Sequence, residues 1–300
     1  MRKQVVDGIL NISKETGMTS HDVVGRVRKL LKQKRVGHTG TLDPAASGVL
    51  PICVGQGTRV AEYLSESGKA YQADITLGIV TDTYDAEGEV VRRAPVSLGL
   101  PDIEAVLPSF LGLQMQVPPR YSAIKIQGQP AYKRTRAGEE LVLEPRPVTI
   151  DTITILDWQA PRLTLAIECG KGTYIRSLAY DLGEQLGCGA YLSALVRTRS
   201  GPFALEQSST LAQLTEAIER DDLAHLLFPP DYALQQYPAL HLDEATSARV
   251  LHGNAFHAAS YPEALARVYD AQGRFLAIAA WNADEQVWQP AKVFATSATL

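Results

Sequence analysis

The chain has 300 residues, 45% of them hydrophobic and 21% charged, with a formal net charge of −4. That composition suits a soluble globular protein, and the length favours two domains. The longest uninterrupted apolar run, Phe275 to Trp281, is far short of the roughly 20 residues that span a bilayer, and no apolar leader follows Met1, so neither membrane insertion nor secretion is expected.

In chain order, Val5 to Leu10 reads as a short strand. Ser20 then caps an amphipathic helix whose Val23, Val24, Val27, Leu30 and Leu31 recur at helical spacing, with Arg26, Arg28, Lys29 and Lys32 on its other face. Arg35 to Gly48 is too rich in glycine, threonine and proline for a regular element, and Val49 to Val54 follows as a buried strand. Tyr71, Ala73, Ile75 and Leu77 alternate as in a strand, and a turn at Ala86 to Gly88 leads into Glu89 to Val91. Pro101 to Leu111 and Thr173 to Leu186 carry helical apolar stripes; Val148 to Leu156 and Leu163 to Cys169 are β-rich. Between them, residues 117–145 combine a proline pair, glycines and a basic cluster, which suits a protruding insertion. A boundary is expected between Ser200 and Tyr237, followed by short strands at Arg267 to Tyr269, Phe275 to Trp281 and Val287 to Phe294. The pattern predicts an α+β fold, divided into residues 1–230 and a small β-rich unit over 231–300.

The negative total conceals a division. Residues 1–200 hold 24 Lys and Arg against 21 Asp and Glu, whereas residues 201–300 hold 5 against 12. Met115 to Arg136 carries five basic side chains, Arg120, Lys125, Lys133, Arg134 and Arg136, and no acidic one. These are candidate phosphate contacts, although such runs are more often plain solvated surface. Cys53, Cys169 and Cys188 are widely spaced without nearby histidines, so they form neither a disulfide framework nor a zinc site and suit a reducing cytoplasm.

The segment richest in chemical signals is GHTGTLDPAASGVLPICVG, Gly37 to Gly55. It has no GxxxxGK[ST] or GxGxxG pattern for a nucleotide, and no GxSxG elbow. Asp43 remains, in a loop framed by Gly40 and Gly48. Either it is presented to a cleft or it initiates an Asx turn before Pro44.

Three stretches together carry a family resemblance: GHTGTLDPAASGVLP (Gly37 to Pro51), SGKAYQADITLGIVTDTYDAEGEV (Ser67 to Val90) and GKGTYIRSLAYDLGEQLGCGA (Gly170 to Ala190). In order and spacing, from about Asp7 to Phe203, the chain resembles the TruB-type synthases that make pseudouridine 55 in the T loop of transfer RNA. The resemblance implies a mixed, mostly antiparallel central sheet flanked by helices. It further implies a thumb-like insertion that grips the T loop, with Tyr121 and Tyr132 among its cations, and a small C-terminal β-barrel of the PUA type. Asp43 matches the essential aspartate, and Arg176 the arginine that orients it and keeps it ionised by a bidentate contact. Tyr71 matches the tyrosine that stacks on the base and assists proton removal at carbon; Tyr174 and Leu195 match residues that enclose the base. His38 matches a histidine that fills the space left by the flipped nucleotide. Lys14 matches the lysine of an N-terminal KPxG element in which Glu15 here replaces proline. No metal or cofactor is implied, and no protein partner; the expected enzyme is a cytoplasmic monomer acting on the tRNA T stem-loop. Two alternatives stay open. One is a guide-RNA-dependent subunit of the dyskerin type, against which the lack of basic tails speaks. The other is an RNA-binding protein without activity, which need not keep Asp43, Tyr71 and Arg176.

Overall fold

The computed structural model describes residues 6–122, 124–126, 129–130, 134, 143–259, 261 and 263–294. Of the expected thumb residues, Tyr132, Lys133 and Arg136 lie outside the described residues.

The chain opens with β1 (Gly8–Lys14), α1 (Ser20–Leu31), β2 (Val36–His38), β3 (Ser47–Val54), α2 (Ala61–Glu66), β4 (Lys69–Leu77), β5 (Ile79–Thr81) and β6 (Val90–Arg93). Next come α3 (Leu100–Val106), β7 (Gly112–Gln116), β8 (Lys125–Ile126), β9 (Gln129–Pro130), β10 (Arg146–Gln159), β11 (Arg162–Cys169), α4 (Ile175–Gln185) and β12 (Ala190–Ser200). It continues through β13 (Phe203–Ala204), α5 (Leu211–Glu219) and β14 (Leu227–Phe228). The last elements are β15 (Ala239–His241), α6 (Glu244–Leu251), β16 (Leu265–Tyr269), β17 (Phe275–Asn282) and β18 (Val287–Val293).

The main sheet runs β14-β1-β3-β12-β4-β11-β10-β7, with β2 added to β3 and β13 to β12. Its pairings are antiparallel except β3 with β12, where Ser47 faces Val196 and Gly48 faces Arg197. That parallel contact is close: a Cβ on Gly48, at φ +99°, would stand 2.3 Å from the Arg197 carbonyl oxygen. Only glycine fits there, and it lets the loop carrying Asp43 run directly beside β12. The inner face of the sheet is apolar, with Leu50, Ile52, Ala73, Ile75, Leu165 and Ile167 packed against Val23, Val24 and Val27 of α1 and Leu178, Ala179 and Leu182 of α4.

The first strand, expected to end at Leu10, runs on to Lys14, and two helix boundaries also move. The cap of α1 is Thr19, not Ser20: Thr19 Oγ1 accepts from the Asp22 N–H at 3.1 Å while Asp22 Oδ2 accepts from the Thr19 N–H at 2.9 Å. Ser20 is thereby free for a tertiary contact described below. The predicted helix over Pro101 to Leu111 is a single α-helix only to Val106, with a tighter turn over Leu107–Phe110 imposed by Pro108. Several strands carry no clear signal in the sequence, among them β2, inside the Arg35 to Gly48 stretch expected to hold no regular element, β7 and, longest, β12. β12 pairs with both β3 and β4 through two register shifts, Leu192/Ala194 and Arg197/Arg199, which break the alternation that betrays a strand.

The C-terminal sheet runs β15-β16-β17-β18, and Phe256 bridges to Trp288 beside it. It has its own core of Leu240, Val250, Phe256, Val268, Leu276 and Trp288. Another apolar cluster, including Ile9, Cys53, Leu64, Phe203, Leu234, Ile278 and Phe294, joins this sheet to β1, β3 and α2.

Candidate active site

Asp43 lies in the loop between β2 and β3, and several tethers hold that loop. Ser20 Oγ donates to the Leu42 carbonyl at 3.1 Å and accepts from the Leu42 N–H at 2.8 Å. The Gly17 N–H donates to the Pro44 carbonyl at 2.9 Å. Lys14, 1% exposed, spends its ammonium on the carbonyls of Glu15 (2.9 Å), Met18 (2.7 Å) and Pro44 (3.3 Å). On the sheet side, Arg197 Nη2 donates to the Gly40 carbonyl at 3.1 Å.

Arg176, in the first turn of α4, comes up to this loop with 5% exposure. Its Nη2 stands 3.0 Å from Asp43 Oδ2 and its Nη1 stands 3.2 Å from Asp85 Oδ2. The expected bidentate contact with Asp43 is therefore shared between two carboxylates. Asp85 can take its share because its Oδ1 accepts from Thr83 Oγ1 at 2.5 Å and from the Glu87 N–H at 3.1 Å. Arg176 Nη2 also donates to the Tyr121 carbonyl at 2.9 Å.

Arg176 is expected to keep Asp43 ionised, and here it works against burial. Loss of hydration pushes the Asp43 carboxyl above its usual range; Arg176 opposes that rise and Asp85 adds to it. The Asp43 side chain nevertheless keeps 42% exposure, so it faces an opening.

That opening is a cavity of about 450 Å³. His38, Asp43, Tyr71, Tyr174, Arg176 and Leu195 all line it, so six of the seven site residues expected from sequence come together. They arrive on β2, the following loop, β4, the start of α4 and β12. Tyr174 is fixed through its backbone: its N–H donates to Gln116 Oε1 at 2.8 Å and its carbonyl accepts from Gln116 Nε2 at 3.0 Å. Burial, then the neighbouring Arg197, pushes the His38 imidazole below its usual range, so it is neutral at pH 7. Burial pushes the phenols of Tyr71 and Tyr174 up.

Lys14 does not line the cavity. A buried ammonium whose hydrogens go to three carbonyls supports the Asp43 loop from beneath instead of meeting a substrate. Conversely, Asp85, Lys69 and Arg197 belong to this neighbourhood and were not singled out from sequence. Lys69 and Arg197 line the cavity, and Asp85 closes the back of Arg176. The Asp85 signal lies in the second matched stretch, Ser67 to Val90; Arg197 sits in β12, whose pattern the sequence does not reveal. Among the described residues no group of three His, Cys, Asp or Glu is close enough to hold a metal ion.

Comparison with known proteins agrees along most of the chain. Residues 28–175 match the N-terminal domain of the TruB family pseudouridylate synthases, residues 176–235 the tRNA pseudouridylate synthase B C-terminal domain, and residues 238–291 the C-terminal domain of pseudouridine synthase II TruB. The chain is 45% identical over 291 residues to tRNA pseudouridine synthase B of Pseudomonas fluorescens Pf0-1, covering 94% of each. It is 46% identical over 292 residues to the Dehalococcoides mccartyi protein of the same name, covering 96% of this chain and 97% of that one. Among solved structures, a Cbf5-Nop10-Gar1 complex contains a chain that superposes with a TM-score of 0.76 at 27% identity, covering 97% of this chain and 86% of that one. A chain of an H/ACA RNP bound to a substrate RNA containing 2′-deoxyuridine gives 0.75 at 25%, covering 96% and 85%. With its motifs, fold and cavity in agreement over nearly its full length, the chain belongs to the TruB family of pseudouridine synthases.

Proposed function

We propose that this enzyme converts uridine to pseudouridine in tRNA, at position 55 of the T loop, with Asp43 as its catalytic group. The observation that carries this reading is the solvent-facing Asp43 carboxylate held by a buried arginine at the edge of a cavity walled by Tyr71, Tyr174 and Leu195. Isomerisation of a nucleoside breaks N1–C1′, forms C5–C1′, and moves a hydrogen from C5 to N1. It needs a nucleophile or base at the sugar or ring, a wall that keeps the freed uracil in place while it turns, and a group that takes the C5 proton. Asp43 supplies the first, Tyr174 and Leu195 the second, and Tyr71 the third. The cavity lies inside the protein surface, so the target nucleotide reaches it by leaving its stack, and the neutral ring of His38 occupies the space it vacates.

The enzyme acts alone, as a monomer in the cytoplasm, with its C-terminal β unit (231–300) as a further RNA contact. Support comes from the identity to the bacterial proteins named above, which is well above that to the Cbf5 chain. No described helix is long and apolar enough to cross a membrane. The deciding experiment incubates the protein with an unmodified tRNA transcript and maps pseudouridine at single-nucleotide resolution, with Asp43→Asn in parallel. Product at position 55 from the wild type alone is expected. No product from the wild type, or equal product from the variant, overturns the reading; product elsewhere overturns the position.

A further inference from the structure

Two buried arginines flank the cavity, and among the described residues only one of them has an acidic partner. Arg176 sits between Asp43 and Asp85. Arg197 is 1% exposed, and among the described residues no carboxylate lies within ion-pair distance of it. Its Nε donates to the Val49 carbonyl at 2.7 Å and its Nη2 to the Gly40 carbonyl at 3.1 Å. Those two bonds fix the guanidinium plane and leave Nη1 without a carbonyl to serve. A desolvated cation without a counterion is costly, and a merely structural strut across β3 and β12 could be built without charge.

The register shows what Arg197 faces. In the pairing of β12 with β4, Arg197 stands directly opposite Tyr71, so their side chains share one face, and both line the cavity. We infer that Arg197 is the positioning residue for Tyr71: it holds the phenol against the C5 side of the base and stabilises its phenolate. This rests on Tyr71 being the group that removes the C5 proton. Burial alone makes that phenol a reluctant acid, and Arg197 is the largest influence acting the other way.

The step balances within the isomerisation. The Tyr71 phenol first releases its proton to solvent. After C5 has bonded to C1′, the C5–H bond breaks, its proton goes to the Tyr71 oxygen, and its electron pair forms C5=C6. The former N1=C6 pair moves to N1, which takes a proton from solvent. Nothing is oxidised or reduced. The site thus assigns one arginine to each chemical half, Arg176 to the group that starts the reaction and Arg197 to the group that ends it.

The test compares single-turnover rates on tRNA carrying uridine or [5-²H]uridine, in wild type, Arg197→Met, Arg197→Lys, Tyr71→Phe and the Tyr71→Phe/Arg197→Met double variant. Loss of the charge is expected to slow the reaction on the order of 10²-fold, the lower end of what a positioned base contributes. It should also enlarge the C5 deuterium isotope effect over that of wild type. Arg197→Lys, which keeps the charge but loses the two-carbonyl tie, should be less stable yet show the smaller isotope effect. In the Tyr71→Phe background, Arg197→Met should cost little more. Equal slowing by Met and Lys with an unchanged isotope effect, or additive losses in the double variant, would overturn the assignment and leave a structural strut. If Arg197→Met does not fold, the Lys variant and the isotope effect still decide. Absence of pseudouridine from the wild type would instead overturn the functional reading on which the inference rests.

Discussion

The two larger sheets of this molecule treat buried charge in opposite ways. Around the cavity of the main sheet, Lys14, Lys69, Asp85, Arg176 and Arg197 are all at most 8% exposed. The C-terminal sheet has a core of Val250, Phe256, Ala266, Val268 and Trp288, and among the described residues its one buried charged side chain, Asp270, is locked in a turn by the N–H groups of Gln272 and Arg274 and by the Arg274 guanidinium. Burying an ion costs several kcal/mol that an apolar residue would not. The first region accepts that cost to place charges around the proposed active site, and the second shows how the same chain packs when it need not. The contrast also corrects the reading of net charge, because the acidic total belongs mostly to the region without the site.

The largest expected effect breaks the contrast at its centre. Asp43→Asn should lower pseudouridine formation by more than about 10³-fold, read by single-turnover assay. The same change should stabilise the fold. Because the folded protein raises the Asp43 pKa, it favours the protonated carboxyl, so stability associated with this group is present at low pH and lost as pH rises through the folded value. The amide escapes that loss. Asp43→Asn should therefore melt higher than wild type at about pH 8, with the gap closing as the solution is acidified. A gap that widens on acidification would mean that Arg176 outweighs desolvation.

Next in size is Lys14→Met. It strips the carbonyls of Glu15 and Met18 of their donor, while Pro44 keeps the Gly17 N–H. Unpaired carbonyls cost about 1–3 kcal/mol each when buried, these two are only partly so, and removing the desolvated cation returns part of the loss, so a net loss of about 1 kcal/mol in urea unfolding is expected. Because Lys14 supports the loop from below, the loss should appear in stability and kcat with tRNA affinity retained.

Asp85→Asn separates the two carboxylates on Arg176. Asp85 raises the Asp43 pKa, so its removal makes Asp43 ionise at lower pH, and the acid limb of kcat/KM should move down. The plateau should fall about tenfold because Arg176 loses one of its two anchors. An acid limb that moves up would show that Asp85 acts only through the position of Arg176.

What could be read from sequence follows the same division. The Asp43 loop, Tyr71 and Arg176 were legible because short-range motifs carry them, and the helices and strands with regular periods fell within a few residues of their observed ends. β12 was not, since its two register shifts interrupt the period of two, and with it went Arg197. Thr19 and Ser20 show a finer limit. Both suit a helix cap, and only the fold, which gives Ser20 the Leu42 backbone to bind, decides between them. Lys14 fits its motif, but whether a lysine meets a substrate or three carbonyls is a tertiary fact.

The smallest effect concerns the seam between the regions. Arg59 donates to the Val293 carbonyl and lies over Phe294, 5.0 Å from the ring centroid; Lys292 donates to the Arg59 carbonyl at 2.7 Å, pairs with Glu62, and lies 5.2 Å from the Tyr63 ring centroid. These contacts rim the shared apolar cluster of Ile9, Leu64, Leu234 and Ile278. Partly exposed cation–ring and ion-pair contacts are worth about 0.5–1 kcal/mol each. Arg59→Ala should therefore cost about 1 kcal/mol of stability and speed proteolysis near the seam, with the single-turnover rate at saturating enzyme changed less than twofold. The chemistry stays because the contacts Arg59 makes with Val293, Phe294 and Lys292 lie on the seam, whereas tRNA affinity should weaken only to the extent that RNA binding uses the fixed angle between the two sheets. A fall in the chemical rate itself would mean that the apolar region, too, helps to hold the charges of the other.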